Sequence, residues 1–251
     1  IARIAMIGFA VQLVAVVVLS AFEQESIRFF YGDRPMDEGV QNITRNALII
    51  TAASPFLILG LVEGRSRNVT IAIAAAVLVP VIAVIIVRGV DAGLLSLAAT
   101  AVLVGILHVF RRSGFRIIGG LIALMIMIAP FLFQAISSGA NAVTATNSMD
   151  YRQAIWQRVL TFIWDKPIFG SGVGALRTYQ EKIPEGVFAG QLYVPNHPHN
   201  MLLQLWAETG VVGAVIVAAV VLLVAFRLPR PELIPSATPR IAAIIGGFAA
   251  S

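Results

Sequence analysis

Cysteine is absent from this chain of 251 residues, which excludes disulfides, thiolate metal sites and a cysteine nucleophile and leaves the redox compartment open. Histidine is nearly absent too, at three residues, so any base or ligand built on imidazole has few places to be. Charge is scarce: 12% of residues are charged, about half the share usual in soluble domains. Together with 58% hydrophobic residues and a mean hydropathy of +0.88, that scarcity excludes an ordinary soluble domain. The expected fold class is an all-α integral membrane protein, a polytopic helical bundle. A net charge of +5 invites a nucleic-acid partner, but the placement of the charges argues for none.

What is present is a series of long apolar runs. Six are long enough to cross a bilayer as helices of about 20 residues: Ile4 to Phe22, Ala47 to Val62, Val69 to Val87, Gly93 to Phe110, Ile117 to Ile136 and Thr209 to Phe226. A seventh begins at Ile241, and with no initiator Met the chain is expected to be a piece cut at both ends. A signal peptide ending near Leu19-Ser20-Ala21 is the lesser reading of the first run, which is long for an h-region and is followed by further spans. Pro55, Pro80 and Pro130 fall inside spans, where neighbouring helices are expected to satisfy the freed backbone groups.

Alternate loops differ in charge. One side carries nine basic residues (Arg3, Arg65, Arg67, Arg111, Arg112, Arg116, Arg227, Arg230, Arg240) against two acidic ones (Glu63, Glu232); the other carries nine against eleven. Because cytoplasmic loops are enriched in Lys and Arg, the first side is expected inside and the second outside. The expected organisation is therefore 1–136 as five transmembrane helices, 137–208 as a large periplasmic loop, 209–226 as a transmembrane helix, and 227–251 as a cytoplasmic loop leading into a further span. The basic balance follows from topology, and membrane lipids are the surroundings it implies.

The outer segment from residue 137 is too long for an ordinary connection, and its composition argues against disorder. Tyr151, Ile155, Val159 and Phe162 recur at helical spacing; Asn147 with Asp150 marks a start and Asp165-Lys166-Pro167 a stop. Arg152 and Arg158 stand about 120° apart on this helix and can flank one cavity. Next comes Gly170-Ser171-Gly172-Val173-Gly174. Its backbone N–H groups suit an anion nest, but it lacks the strand and spacing of known phosphate loops, so a flexible turn is the plainer reading.

His197-Pro198-His199-Asn200 then leads into a helix with a break at Gly210. A histidine near neutral pKa at a membrane face can take a proton from a sugar hydroxyl of a lipid-linked substrate. The pair can also be read as half a metal site, with Glu208 or Asp150 as guessed further ligands, or as interfacial hydrogen-bonding groups. His108, at the inner end of a span, reads as structural. Arg45, Arg88, Arg152 and Arg158 suit a diphosphate, since the guanidinium fork matches phosphate oxygens; interfacial anchoring, or an Arg88–Asp91 pair, is the plainer alternative.

Arg152-x-x-Ile155-Trp156, Asp165-x-Pro167-x-x-Gly170-x-Gly172-x-Gly174, His199-Asn200-x-x-Leu203 and Glu208-x-Gly210-x-x-Gly213 follow in an order that resembles the O-antigen ligase and polymerase superfamily of bacterial envelope glycan assembly. The close match runs from Arg152 to about Val224. Asn42 to Pro55 with Arg45, and Val87-Arg88-Gly89, are similar to weaker family features, although Val87 stands where the family often has Ser. The resemblance implies the C-terminal part of a GT-C-like membrane glycosyltransferase in the bacterial inner membrane. It would move a glycan from undecaprenyl diphosphate to an acceptor hydroxyl on lipid A core or a growing glycan, as in lipopolysaccharide biosynthesis, using no cofactor, metal or nucleotide sugar. By the same resemblance His199 is the general base and catalytic residue; Arg152, Arg158, Arg88 and Arg45 bind the donor; and His197 and Asn200 contact substrate. The rival classes are a transporter, for which Gln12 is the main mid-span polar group, and a non-catalytic envelope scaffold.

Overall fold

The computed structural model describes residues 2–22, 46–51, 53–55, 58, 61, 66–88, 91–195 and 197–233. Among them the structure is almost wholly helical; the only β-type pairing is an isolated bridge between Lys182 and Leu192. The all-α membrane class read from composition holds: three described helices, at Arg67–Val87, Gly114–Ser137 and Met201–Arg227, are long and apolar enough to cross a membrane. The chain divides into two compact units, 1–114 with 229–251, and 115–228.

The first unit contains α1 (Ala2–Ala21), α2 (Arg67–Arg88) and α3 (Asp91–Val109). Residues 47–51 and 53–55, inside the span expected at 47–62, are helical, as is Asn46 just before it; the outer loop ahead of Asn46 and the run from Ile241 lie outside the described residues. Leu13, Val16, Ala47, Ile50, Val77, Val81, Val84 and Ile85 form this unit's core. Two hydroxyls buried in this unit turn back on their own helix, Thr51 to the Ala47 carbonyl and Thr100 to the Ser96 carbonyl, whereas the Ser20 hydroxyl of α1 is buried without a hydrogen-bond partner among the described residues. Gln12, the polar group behind the transporter reading, donates to Asn46 Oδ1 at 3.2 Å.

The second unit contains most of α4 (Gly114–Ser137), α5 (Ser148–Asp165), a 3-10 turn at Ala175–Thr178, and α6 (Met201–Arg227). The start and stop signals of α5 fall where the sequence sets them: Asn147 caps it, its side chain accepting from the Met149 and Asp150 N–H groups, and the helix ends at Asp165 before Lys166-Pro167. Its apolar face, with Ile155, Val159, Leu160 and Ile163, buries against Leu203, Trp206 and Ala207 of α6. On α4, Phe133 meets Trp156, Phe131 meets Trp164, and Ser137 hydrogen-bonds Gln157. Between α4 and α6, a Cβ on Gly119 would fall on the methyl of Ala225, so only glycine fits there.

Pro130 shows how this unit tolerates a proline. Without an N–H at residue 130, the Ile126 carbonyl four residues earlier loses its helical partner. The Trp206 indole N–H takes that place, donating to Ile126 O at 2.7 Å in a buried setting. A side chain from a neighbouring helix thus satisfies the freed carbonyl.

The span expected at 209–226 is the second half of a longer helix. Asn200 caps a helical turn starting at Met201, and Gly210 (φ 64°, ψ −163°) breaks the helix after Thr209. The sequence-based boundary therefore falls at the break rather than at the helix start.

Candidate functional site

Pro198 anchors the loop before α6. Its carbonyl accepts the Trp156 indole N–H at 3.0 Å, which holds residues 197–199 against α5. Arg152 sits one turn before Trp156 on the same face, so it is carried to the same loop. His197 and His199 stack edge to face with ring centres 4.3 Å apart, and the His199 backbone N–H donates to His197 Nδ1 over a long 3.4 Å. His199 is the one non-glycine residue with positive φ, at 50°, among the described residues. A β-carbon residue held in the left-handed region costs about 1 kcal/mol, and such outliers gather at sites where the side chain's aim matters.

The electrostatics favour a neutral imidazole. Burial, then the neighbouring His197, then the Arg152 guanidinium hold His199 below its ordinary value, because each disfavours the charged ring. The residue still keeps an exposed surface through which a substrate can approach. Arg152 has no hydrogen bond or ion pair among the described residues, so its guanidinium remains able to bind an anion.

The other expected site residues are placed differently. Arg158 is engaged elsewhere: its Nη2 lies 2.9 Å from Glu181 Oε2, its Nε donates to the Tyr179 hydroxyl at 2.9 Å, and its guanidinium lies over the Tyr179 ring. Sequence reasoning missed both partners, since only the fold brings residues 179 and 181 back to α5. The Asn200 side-chain oxygen accepts from Leu202 and Leu203 N–H, so it caps α6; its NH2 has no partner among the described residues. Arg45 lies outside the described residues, and Arg88 is the last residue of α2 in the first unit.

The nest reading of residues 170–174 loses its donors. Ser171 and Gly172 N–H bond to the Ala207 and Glu208 carbonyls, and Gly174 N–H bonds to Glu208 Oε1. The turn reading stands, but the turn is docked rather than free. The carboxylates guessed as extra metal ligands are likewise committed: Glu208 to Gly174 and Gln204, Asp150 to Thr146 and Asn147. Among the described residues no three His, Cys, Asp or Glu side chains are grouped as a metal site.

Compared with known families, residues 52–218 match the family model described as O-antigen ligase, two thirds of the chain. The chain belongs to the O-antigen ligase family. No curated protein and no solved structure matches it. Family membership makes the chain a membrane enzyme of the O-antigen ligase or polymerase type, with lipid-linked glycan and acceptor as its partners. The match contains the whole of α5, the docked turn and the loop of His197 and His199.

Proposed function

We propose that this O-antigen ligase family member moves a glycan from undecaprenyl diphosphate to an acceptor hydroxyl, with His199 as general base and Arg152 holding the donor diphosphate. The acceptor's O–H proton passes to the neutral His199 ring as its oxygen attacks the anomeric carbon. The bond from that carbon to the phosphate oxygen breaks, and the lipid diphosphate leaves with the electron pair. The Arg152 guanidinium stabilises the charge that develops on the leaving oxygen. No metal step is needed, because the diphosphate is a good leaving group once its charge is held. Arg45 and Arg88 are further candidate contacts for the donor, and His197 orients His199 through the contact with its backbone N–H. Residues 137–208 face the periplasmic side of the inner membrane, as the loop-charge asymmetry indicates.

The observation that carries this reading is the pairing of a ring whose pKa is held below its ordinary value with an arginine that has no ion partner among the described residues. Replacing His199 with Ala and measuring glycan transfer from a lipid-diphosphate donor tests it. Loss of about 10²- to 10⁴-fold in rate, with donor binding kept, is expected for removal of a general base. Transfer at the wild-type rate would sink the proposal.

A further inference from the structure

The break in α6 is closed by another part of the chain. A helix interrupted at Gly210 leaves carbonyls unpaired before the break and N–H groups unpaired after it. Residues 167–172 satisfy two groups of each set. Ser171 N–H donates to Ala207 O at 2.8 Å and Gly172 N–H to Glu208 O at 2.9 Å, while Val211 N–H donates to Pro167 O at 2.8 Å and Val212 N–H to Ile168 O at 3.2 Å. The backbones approach so closely that a Cβ on Gly170 would fall on Glu208 and Thr209, and one on Gly210 would fall on Ile168. Both glycines also have positive φ, which makes a side chain doubly unfavourable. Gly213 leaves the space taken by the Thr209 side chain.

Glu208 ties the far end of this strap. Its Oε1 accepts both the Gly174 N–H and the Gln204 amide, each at 3.1 Å. The helical segment ahead of the break, Met201–Thr209, is thus held by the strap and Glu208 at one end and by the Asn200 cap at the other, with Trp206 bonded to Ile126 between them. His199 immediately precedes that cap. It lies ten residues from Thr209, roughly 15 Å along a helix at 1.5 Å per residue. A change of about 10° at the break would swing His199 by about 2.5 Å, and a misplacement of about 1 Å can cost 10²-fold in rate.

We infer that Glu208 is a positioning residue: by tying the 167–174 strap across the break in α6, it fixes the angle of Met201–Thr209 and so the place of His199. The kinetic consequence rests on the glycosyl-transfer reading above; the structural one does not.

The test uses the full chain. Because these 251 residues contain no cysteine, nitroxides placed on Met201→Cys and Leu223→Cys, both exposed and on opposite sides of the break, report its angle by pulsed EPR. With Glu208 intact, one narrow distance distribution is expected. Glu208→Ala should broaden or shift it, and in the unlabelled chain should lower the rate of transfer from a lipid-diphosphate donor about 10²-fold with donor KM changed only a few-fold. Glu208→Gln, which keeps an acceptor for the Gly174 N–H, should restore both. If Glu208→Ala accumulates poorly, Glu208→Asp withdraws the carboxylate from Gly174 and is expected to show the same broadening. An unchanged distribution in Glu208→Ala overturns the inference, as does a shifted distribution with an undiminished rate. Glu208→Gln that is as slow as Glu208→Ala, but with wild-type distances, also overturns it, because the charge would then be acting on the reacting groups. If the wild-type chain transfers nothing, the glycosyl-transfer reading falls while the distance measurements still decide whether Glu208 holds the break.

Discussion

Replacing Trp206 with Phe removes the donor from the Ile126 carbonyl, which Pro130 has already deprived of its helical partner. An unsatisfied buried carbonyl costs about 1–3 kcal/mol in soluble proteins, and interhelical hydrogen bonds in membranes contribute about 0.6–1.7 kcal/mol, so about 1 kcal/mol is expected here beyond lost packing. Packing can be separated from the hydrogen bond. In a Pro130→Ala background the residue-130 N–H is restored, and the Ile126 carbonyl regains its partner within α4. Trp206→Phe then costs only the packing. Unfolding of the wild type, both single variants and the double variant in detergent, by denaturant titration, gives a coupling energy. The expected value is about 1 kcal/mol, with the two substitutions less harmful together than their sum. Additivity within about 0.3 kcal/mol would refute the idea that Trp206 serves the carbonyl that proline leaves unpaired.

Other substitutions separate further parts of the account. Gly170→Ala places a Cβ on the backbone of Glu208 and Thr209 at a positive φ; a loss of more than about 3 kcal/mol is expected, read as failure to accumulate or a sharply lowered unfolding temperature, whereas Gly172→Ala, with open space around it, should cost only the strain of its φ, about 1 kcal/mol. Arg152→Met is expected to raise donor KM at least tenfold, as loss of a charge-assisted phosphate contact does, while Arg158→Met leaves donor KM within about threefold and instead loosens residues 179–181, seen as faster proteolysis of that segment. Equal KM effects from the two variants would contradict the division of roles drawn from their partners.

Much of the fold was legible because apolar length and caps are local signals. The helices at Gly114–Ser137 and Ser148–Asp165 begin and end within three residues of where hydropathy, Asn147 and Lys166-Pro167 place them. The break at Gly210 was also readable as a break. Its repair was not, because nothing local in Pro167 to Gly174 says which distant backbone groups it will meet; only the fold brings residues 167–172 and 207–212 together. The same reason explains the site. His199 is set apart from His197 only by the resemblance to the family's His-Asn spacing, and Arg152 is one of four candidate arginines that the sequence does not rank; the engagement of Arg158 with Tyr179 and Glu181, and the use of the Asn200 oxygen as a cap, depend on tertiary neighbours that spacing does not encode. Pro130 signalled an unpaired carbonyl at Ile126, yet the identity of its donor, 80 residues away, did not follow from the sequence.

The most direct test of the central claim is the pH dependence of kcat/KM for glycan transfer in the wild type and in His199→Gln. Protonated His199 cannot accept the acceptor's proton, so activity should fall on the acid side as the ring gains its charge. Because burial, His197 and Arg152 lower its pKa, the wild-type acid limb is expected with unit slope at a midpoint below the ordinary histidine value of about 6.5. In His199→Gln the rate should be about 10²- to 10⁴-fold lower and that limb should vanish. A variant that keeps the wild-type rate, or keeps the same acid limb, would contradict His199 as the base.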